Sequence, residues 1–222
     1  MQTINLPLNA LRAALTHTPE KDVRYYLLGV YIDTKAGRIV ATDGHRMVVC
    51  DGPKASCEPF IIGRDDLTRA LKSFPSEYGR GKTLATADVP VTVQTTDGKT
   101  WITVEGYNGA KFTFPAVDGK FPDYQRVIPQ TVKPIEFATF NSDYVTDAFD
   151  AIALYRNVPA KKAAQHGAGL MMQGNSPAIV ADSDPGIIVI VMPMRSNTDG
   201  SKFVDALIWA HGQSTESIRA AA

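Results

Sequence analysis

Residues 26–50 read YLLGVYIDTKAGRIVATDGHRMVVC, and three short strands follow from their pattern. From Tyr26 to Thr34 the apolar residues alternate, with Leu28, Val30 and Ile32 on one side, and a Lys-Ala-Gly turn follows. Period-two alternation marks a half-buried strand. Arg38–Thr42 and Arg46–Cys50 are two more strands. Asp43-Gly44 joins them, a favoured hairpin dipeptide because glycine tolerates positive φ. Working outward, Gln2–Leu6 reads as a strand, and Leu8, Leu11 and Leu15 fall at i, i+3 and i+7 on one face of a short helix. Residues 1–52 thus read as strand, helix and three strands, and the hairpins make the sheet antiparallel.

The same order recurs twice. Pro59–Ile62 is a strand, and Arg64–Phe74 is a helix with Leu67, Leu71 and Phe74 on one face. Asp65 and Asp66 in its first turn suit the helix dipole. Leu84–Ala87, Val91–Thr95, Thr100–Glu105 and Lys111–Phe114 are β-rich, with a second hairpin at Asp97-Gly98. Pro115–Pro134, rich in Pro, Gly and Asp, reads as a connector. In the third copy Ile135–Phe140 is a strand, and Asn141 or Ser142 caps a helix from Asp143 to about Tyr155. That helix has Val145, Phe149, Ile152 and Tyr155 as its apolar face. Gly167–Met172, Pro177–Asp182 and Ile187–Met192 are three more strands, Arg156–Gln165 is a small basic loop, and Ser196–Ala222 is a polar tail with one apolar island, Phe203–Trp209. The copies share periodicity rather than residues. The expected class is α+β, antiparallel sheets with a helix on one face of each. The expected division is one complete domain of two half-units (1–52 and 58–115), a connector (116–134), a half-domain (135–195) and a tail (196–222).

Composition bounds the function. The 222 residues carry 23 basic and 23 acidic side chains and are 44% apolar. At roughly 150 residues per domain, that is about one and a half domains. The longest apolar run, Gly186 to Met194, falls short of the roughly 20 residues of a membrane helix. Met1 is followed at once by polar Gln2 and Thr3, so no secretory leader is expected. Cys50 and Cys57 are too few for a disulfide scaffold and lack CxxC spacing, which fits a reduced, cytoplasmic setting. Zero net charge argues against gripping nucleic acid by bulk electrostatics. His17, His45, His166 and His211 are scattered, with no HExxH, no GxSxG and no phosphate loop. Lys82-Thr83 follows Gly79-Arg-Gly81, but the first glycine of a phosphate loop is missing. Asp43 and His45 could be drawn as an acid–base pair, yet no nucleophile or metal cluster accompanies them. No catalytic residue, metal or cofactor is therefore expected, and the chain does not read as an enzyme.

Four stretches carry a family resemblance. Asp22–Leu28 (DVRYYLL), Val40–Met47 (VATDGHRM) and Gly119–Pro129 (GKFPDYQRVIP) resemble the middle domain, and its exit, of the bacterial DNA polymerase III beta subunit, the sliding clamp family. Ile190–Arg195 (IVMPMR) resembles the end of that family's last domain. Each alone has an ordinary reading: a hairpin turn at Asp43-Gly44-His45, a buried strand end at Met192-Pro193-Met194, a linker anchored by Phe121 and Tyr124. Their order and approximate spacing favour the family. Nothing resembles the family's first domain, and residues 196–222 extend past its usual end.

The resemblance implies a processivity factor that encircles duplex DNA and docks polymerase and clamp-loader subunits through short peptide motifs. Its peptide pocket carries over to Leu27, Thr42, Gly44, His45, Arg46, Met47, Pro122, Arg126, Val127, Ile190, Val191, Met192, Pro193 and Met194. Apolar walls and flexible methionines suit a leucine and an aromatic anchor, each worth roughly 1.5–3 kcal/mol gross. DNA contacts carry over to Arg24, Tyr25 and Tyr26, with Arg12, Arg69 and Lys72 as inward-facing helix charges; Asp143, Asp147 and Asp150 on the third helix count against a uniformly basic lining. The family ring holds twelve half-units, so three per chain predicts a homo-tetramer, or a trimer if the tail hides a fourth. The Leu207 to Trp209 spacing in the tail is similar to clamp-binding peptides, so it either enters the pocket or forms a short helix over an exposed edge. The rival implication is a clamp-fold phage or prophage protein that binds replication partners without encircling DNA.

Overall fold

The computed structural model describes residues 1–75, 87–128, 138–156, 168–173, 176–181 and 186–194. The chain runs β1 (Gln2–Pro7), α1 (Leu8–Leu15), β2 (Gly29–Asp33), β3 (Arg38–Thr42), β4 (Arg46–Asp51), β5 (Phe60–Gly63), α2 (Arg64–Leu71), β6 (Asp88–Thr96), β7 (Lys99–Glu105), β8 (Lys111–Pro115), α3 (Ser142–Tyr155), β9 (Gly169–Gln173), β10 (Ser176–Ala181) and β11 (Ile187–Val191). Turn chemistry sets the register. Asp97 and Gly98 both take positive φ, 51° and 73°, the pair a two-residue hairpin with the strand twist requires. They leave Thr96 opposite Lys99.

Every strand pair is antiparallel. One sheet has the order β1-β6-β7-β8, and the other β5-β2-β3-β4-β11-β10-β9. The first two strand–helix–strand units therefore trade their leading strands: β1 lies in the sheet of β6–β8, and β5 in that of β2–β4. The third unit joins the long sheet at one seam, β4 on β11, from Ile187 opposite Cys50 to Val191 opposite Arg46. The fold is α+β, as the alternation predicted.

Alternation divides the long sheet into two faces. Val30, Ile32, Ile39, Ala41, Val48, Cys50, Val180, Ile187, Val189 and Val191 turn inward to the helices and the first sheet. Val40, Met47, Val49, Ile61, Ile179 and Ile190 turn outward, where Phe121 and Tyr124 of the connector cover them. Leu8, Leu11 and Leu67 are completely or almost completely buried on the inner side, at about 1.5–3 kcal/mol each for burial.

Several elements differ from their sequence reading. Tyr25–Leu27 is a 3-10 turn, not strand, closed by the Leu27 N–H on the Arg24 carbonyl (2.8 Å) and the Leu28 N–H on the Tyr25 carbonyl (3.1 Å). It drops Leu27 into the outer layer, and Leu28 is only half-buried. α2 ends at Leu71, with Phe74 buried in the turn beyond it. On α3 the buried residues are Ala148, Ala151, Ile152 and Ala153, while Phe149 is exposed. Small residues win that face because α3 packs closely on α1, whose own buried residues include Ala10, Ala13 and Ala14. Asn141 caps α3, accepting from the Asp143 N–H (2.9 Å). Of the strand expected at 135–140, residues 138–140 are not strand and the rest lie outside the described residues. Ala87 is likewise not strand, though its carbonyl accepts the Leu8 N–H (3.0 Å). Residues 84–86, the loop at 157–165, Asp182, His166, Arg195, the tail at 196–222 and His211 lie outside the described residues as well. Among the described residues no helix is long and apolar enough to cross a membrane.

Candidate partner-binding groove

The β3–β4 hairpin is held by its own side chains. The Asp43 carboxylate accepts the N–H groups of His45 (2.9 Å) and Arg46 (3.0 Å). The Thr42 hydroxyl donates to the Arg46 carbonyl (2.7 Å) and accepts the Gly44 N–H (3.0 Å). Gly44 has φ +88°, and a Cβ there would lie 2.8 Å from the Arg24 guanidinium. The positive φ favours glycine, whereas the Arg24 guanidinium, at the far end of a flexible side chain, can shift away from a Cβ.

Arg46 ties this hairpin to the third unit. Its guanidinium donates to Asp43 (3.0 Å) and to Asp147 on α3, and it lies 5.0 Å from the centroid of the Tyr144 ring. The His45 ring stacks on Tyr144 at 6.0 Å, and the His45 carbonyl accepts the Met192 N–H (2.9 Å). His17 is fully buried, and burial first and Arg46 second depress its pKa to about 4. The connector is pinned to the outer face. The Val117 N–H donates to the Ile61 carbonyl (3.0 Å), Phe121 stacks on Tyr31 at 4.7 Å, and the Tyr124 hydroxyl donates to Asp33 (3.0 Å). Burial, with that carboxylate, pushes the Tyr124 hydroxyl up to about 12.

Between hairpin, connector and β11 lies a groove of about 200 Å³. Leu27, Met47 and Ile190, almost wholly buried, form its floor, and Thr42, Gly44, Arg46, Pro122, Tyr124, Val127, Met192 and Arg24 complete the lining. Nine of the residues expected in a peptide pocket are thus brought together: Leu27, Thr42, Gly44, Arg46, Met47, Pro122, Val127, Ile190 and Met192. Five do not line it. His45 is exposed beside it on Tyr144, Arg126 is exposed, Val191 faces the inner core, Pro193 is half-buried and Met194 is exposed. Sequence reading did not assign Arg24 and Tyr124 to the pocket, although both sit inside the quoted motifs.

The expected DNA contacts separate into two places. Arg24 stands at the groove, donating to Asp22 (2.9 and 2.6 Å) and to the Asp43 carbonyl (3.0 Å). Its guanidinium holds the Asp22 carboxyl down to about 2. Tyr25 and Tyr26 meet edge to face at 5.7 Å in the turn beside it. Arg12, Arg69 and Lys72 lie on or at the end of α1 and α2, on the other side of the long sheet. Arg12 donates to the Pro75 carbonyl (2.6 Å), Arg69 pairs with Asp66 (2.5 Å), and Lys72 is exposed. Among the described residues no three His, Cys, Asp or Glu side chains cluster as a metal site. Cys50 is buried in the core, which pushes its thiol well above the ordinary range.

No protein-family model matches the chain. Among curated proteins, the beta sliding clamp of Escherichia coli K12 is 31% identical over 160 residues, 70% of this chain and 39% of that protein. The beta sliding clamp of Vibrio cholerae is 37% identical over 115 residues, 50% of this chain and 28% of that protein. The chain thus spans about two fifths of the length of the E. coli relative. Among solved structures, a DNA polymerase sliding clamp from Bacillus subtilis superposes with a TM-score of 0.61 at 14% identity, over 88% of this chain and 64% of that one. The Caulobacter crescentus beta sliding clamp gives 0.58 at 22%, over 88% and 66%. Those likenesses establish the fold, and the sequence matches over 70% of its length make the chain a relative of the bacterial beta sliding clamps.

Proposed function

We propose that the chain is a clamp-like processivity factor that docks polymerase and clamp-loader subunits by short peptide motifs and, as a homo-oligomer, encircles duplex DNA. The observation that carries this reading is the groove. Nine residues from four separated stretches meet at one apolar floor with a polar rim. The three floor residues can seat a leucine and an aromatic side chain, each contributing roughly 1.5–3 kcal/mol before ordering costs. The result is weak, exchangeable binding, which a platform for competing partners needs. We assign residues 1–115 to a complete clamp-like domain, 116–134 to the connector, 135–195 to a half-domain and 196–222 to a tail. Counting half-units against a twelve-unit ring gives four chains, or three if the tail supplies a fourth half-unit.

The test of docking is fluorescence anisotropy with a labelled peptide carrying a Leu-Phe pair. Micromolar binding is expected, with at least tenfold loss in Ile190→Asp; equal binding by that variant refutes the site. The test of encirclement is retention on circular against linear DNA after loading by a clamp loader. A second reading has its own support: Asp143 and Asp150 are exposed on α3, which opposes a basic lining. It is a clamp-fold protein, of phage or prophage origin, that engages replication partners without enclosing DNA. Equal loss from circular and linear DNA selects it.

A further inference from the structure

We propose that two copies of the chain complete each other's third unit by exchanging residues 139–141 just before α3, each adding them as a short strand to the free edge of the partner's β9. The inference rests on the four-chain form of the homo-oligomer reading above and names one of the two interfaces such a ring needs. The rule comes from the chain itself. β1, which precedes α1, pairs with β6, the first strand after α2. β5, which precedes α2, pairs with β2, the first strand after α1. In both exchanges the residue just before the helix faces the first residue of the receiving strand: Pro7 faces Asp88, and Gly63 faces Gly29.

The third unit has the same parts without the exchange. β9 ends the long sheet, and among the described residues nothing pairs with its outer edge. Leu170 and Met171 on it are 38% and 39% exposed, and Phe149 on α3 is exposed too. An open, apolar sheet edge is a template for another strand. The donor is the stretch ending at Asn141, just before α3 at Ser142. Under the same rule Asn141 faces the partner's Gly169, Phe140 the partner's Leu170, and Thr139 the partner's Met171. The Thr139 carbonyl already accepts the Met194 N–H within the chain (2.7 Å). Once these residues pair as an extended strand, successive residues turn their N–H and C=O to opposite sides, which directs those of Phe140 to the partner. The contact is reciprocal and closes about a two-fold axis.

The register makes the test specific. Thr139 and the partner's Met171 form a non-hydrogen-bonded pair, with Cα atoms about 4.5 Å apart and within reach of a disulfide. In a Cys57→Ser background, full-length Thr139→Cys and Met171→Cys chains are mixed, oxidised and run without reductant. A band of twice the chain mass in the mixture, absent from either chain alone, is expected. Leu170→Lys, which puts a charge on the edge, should halve the mass in light scattering at tens of micromolar while peptide affinity stays within twofold. No mixed disulfide, or an unchanged mass in Leu170→Lys, overturns the exchange. If peptide binding is intact at the same time, the docking reading stands and only the interface falls.

Discussion

Acid should destabilise this protein through one histidine. The His17 ring is fully buried; its Nδ1 lies 2.8 Å from the Thr16 hydroxyl, and its Nε2 has no hydrogen-bond partner among the described residues. Burial, then the positive Arg46, hold its pKa at about 4 against an ordinary 6.5, while Asp43 and Asp147 pull the other way. The unfolded chain takes up this proton near pH 6.5, and the folded chain declines it until about pH 4. Between those values the unfolded state binds more protons, so stability is complete above pH 6.5 and falls as pH drops through the window. A gap of about two and a half pH units corresponds to on the order of 3 kcal/mol. That is a large share of the 5–15 kcal/mol typical of a domain. Urea unfolding at pH 7.5, 6.5, 5.5 and 4.5 measures it. His17→Gln, unable to titrate, should be less stable at pH 7.5 but flatter across the range. The Asp22 carboxyl, held near 2, changes charge below this window and does not mimic the effect. Parallel pH curves for the two proteins would refute the reasoning.

Gly44→Ala should lower stability by about 1–2 kcal/mol, because φ +88° opposes a Cβ, while the flexible Arg24 guanidinium 2.8 Å away shifts at little cost. At about 2–4 °C per kcal/mol for a chain of this size, calorimetry should show a drop of a few degrees, and an unchanged melting point contradicts the hairpin argument. Asp147→Asn should cost about 1 kcal/mol or less, since its carboxylate is 41% exposed and Arg46 keeps Asp43. Asp43→Ala should cost more, about 2 kcal/mol, as two backbone N–H groups also lose their acceptor. The opposite ranking in denaturant melts would move the weight of the network to α3. Leu67→Ala, in the inner core, should cost about 2–5 kcal/mol yet leave peptide affinity unchanged. A parallel fall in affinity under native conditions would deny the separation of the two faces.

Strands were legible wherever one face is buried, because alternation and burial are the same physical fact. Val30 and Ile32 announce the inner face of β2 directly, whereas β4 is apolar on both faces, with Val48 and Cys50 inward and Met47 and Val49 outward, so its facing is not written in its sequence. The 3-10 turn at Tyr25–Leu27 was not legible, since YYLL has strand-forming side chains and the turn is fixed by backbone bonds to Arg24 and Tyr25. In the groove, the motifs supplied most of the lining, but a motif is contiguous and a strand shows only alternate residues to one side. With Ile190 and Met192 directed to the groove, Val191 between them had to face inward, as it does. Tyr124 lay in the quoted stretch but read as a linker aromatic, because its partner Asp33 is distant in sequence. The Arg46–Asp147 pair spans 101 residues, and no local pattern signals a contact between a hairpin and a helix so far apart.

The groove and the helices share their supporting strands. Along β4, Met47 and Val49 face the connector while Val48 and Cys50 face the helices; along β11, Ile190 faces outward while Val189 and Val191 face inward. Met47 stands opposite Ile190 across the β4–β11 seam, so the floor of the groove is itself a cross-strand pair of that seam. A one-residue slip there would turn both side chains to the other face and remove the floor. Arg46 fixes the seam from its end, with one carboxylate from the hairpin and one from α3. The groove therefore exists only when the third unit is seated in register on the first. Seating is fixed by inner-core packing of Val48, Val189 and α3, where no docking peptide reaches. Under the proposed docking role, that arrangement lets the groove exchange partners while the packing that builds it remains closed to them.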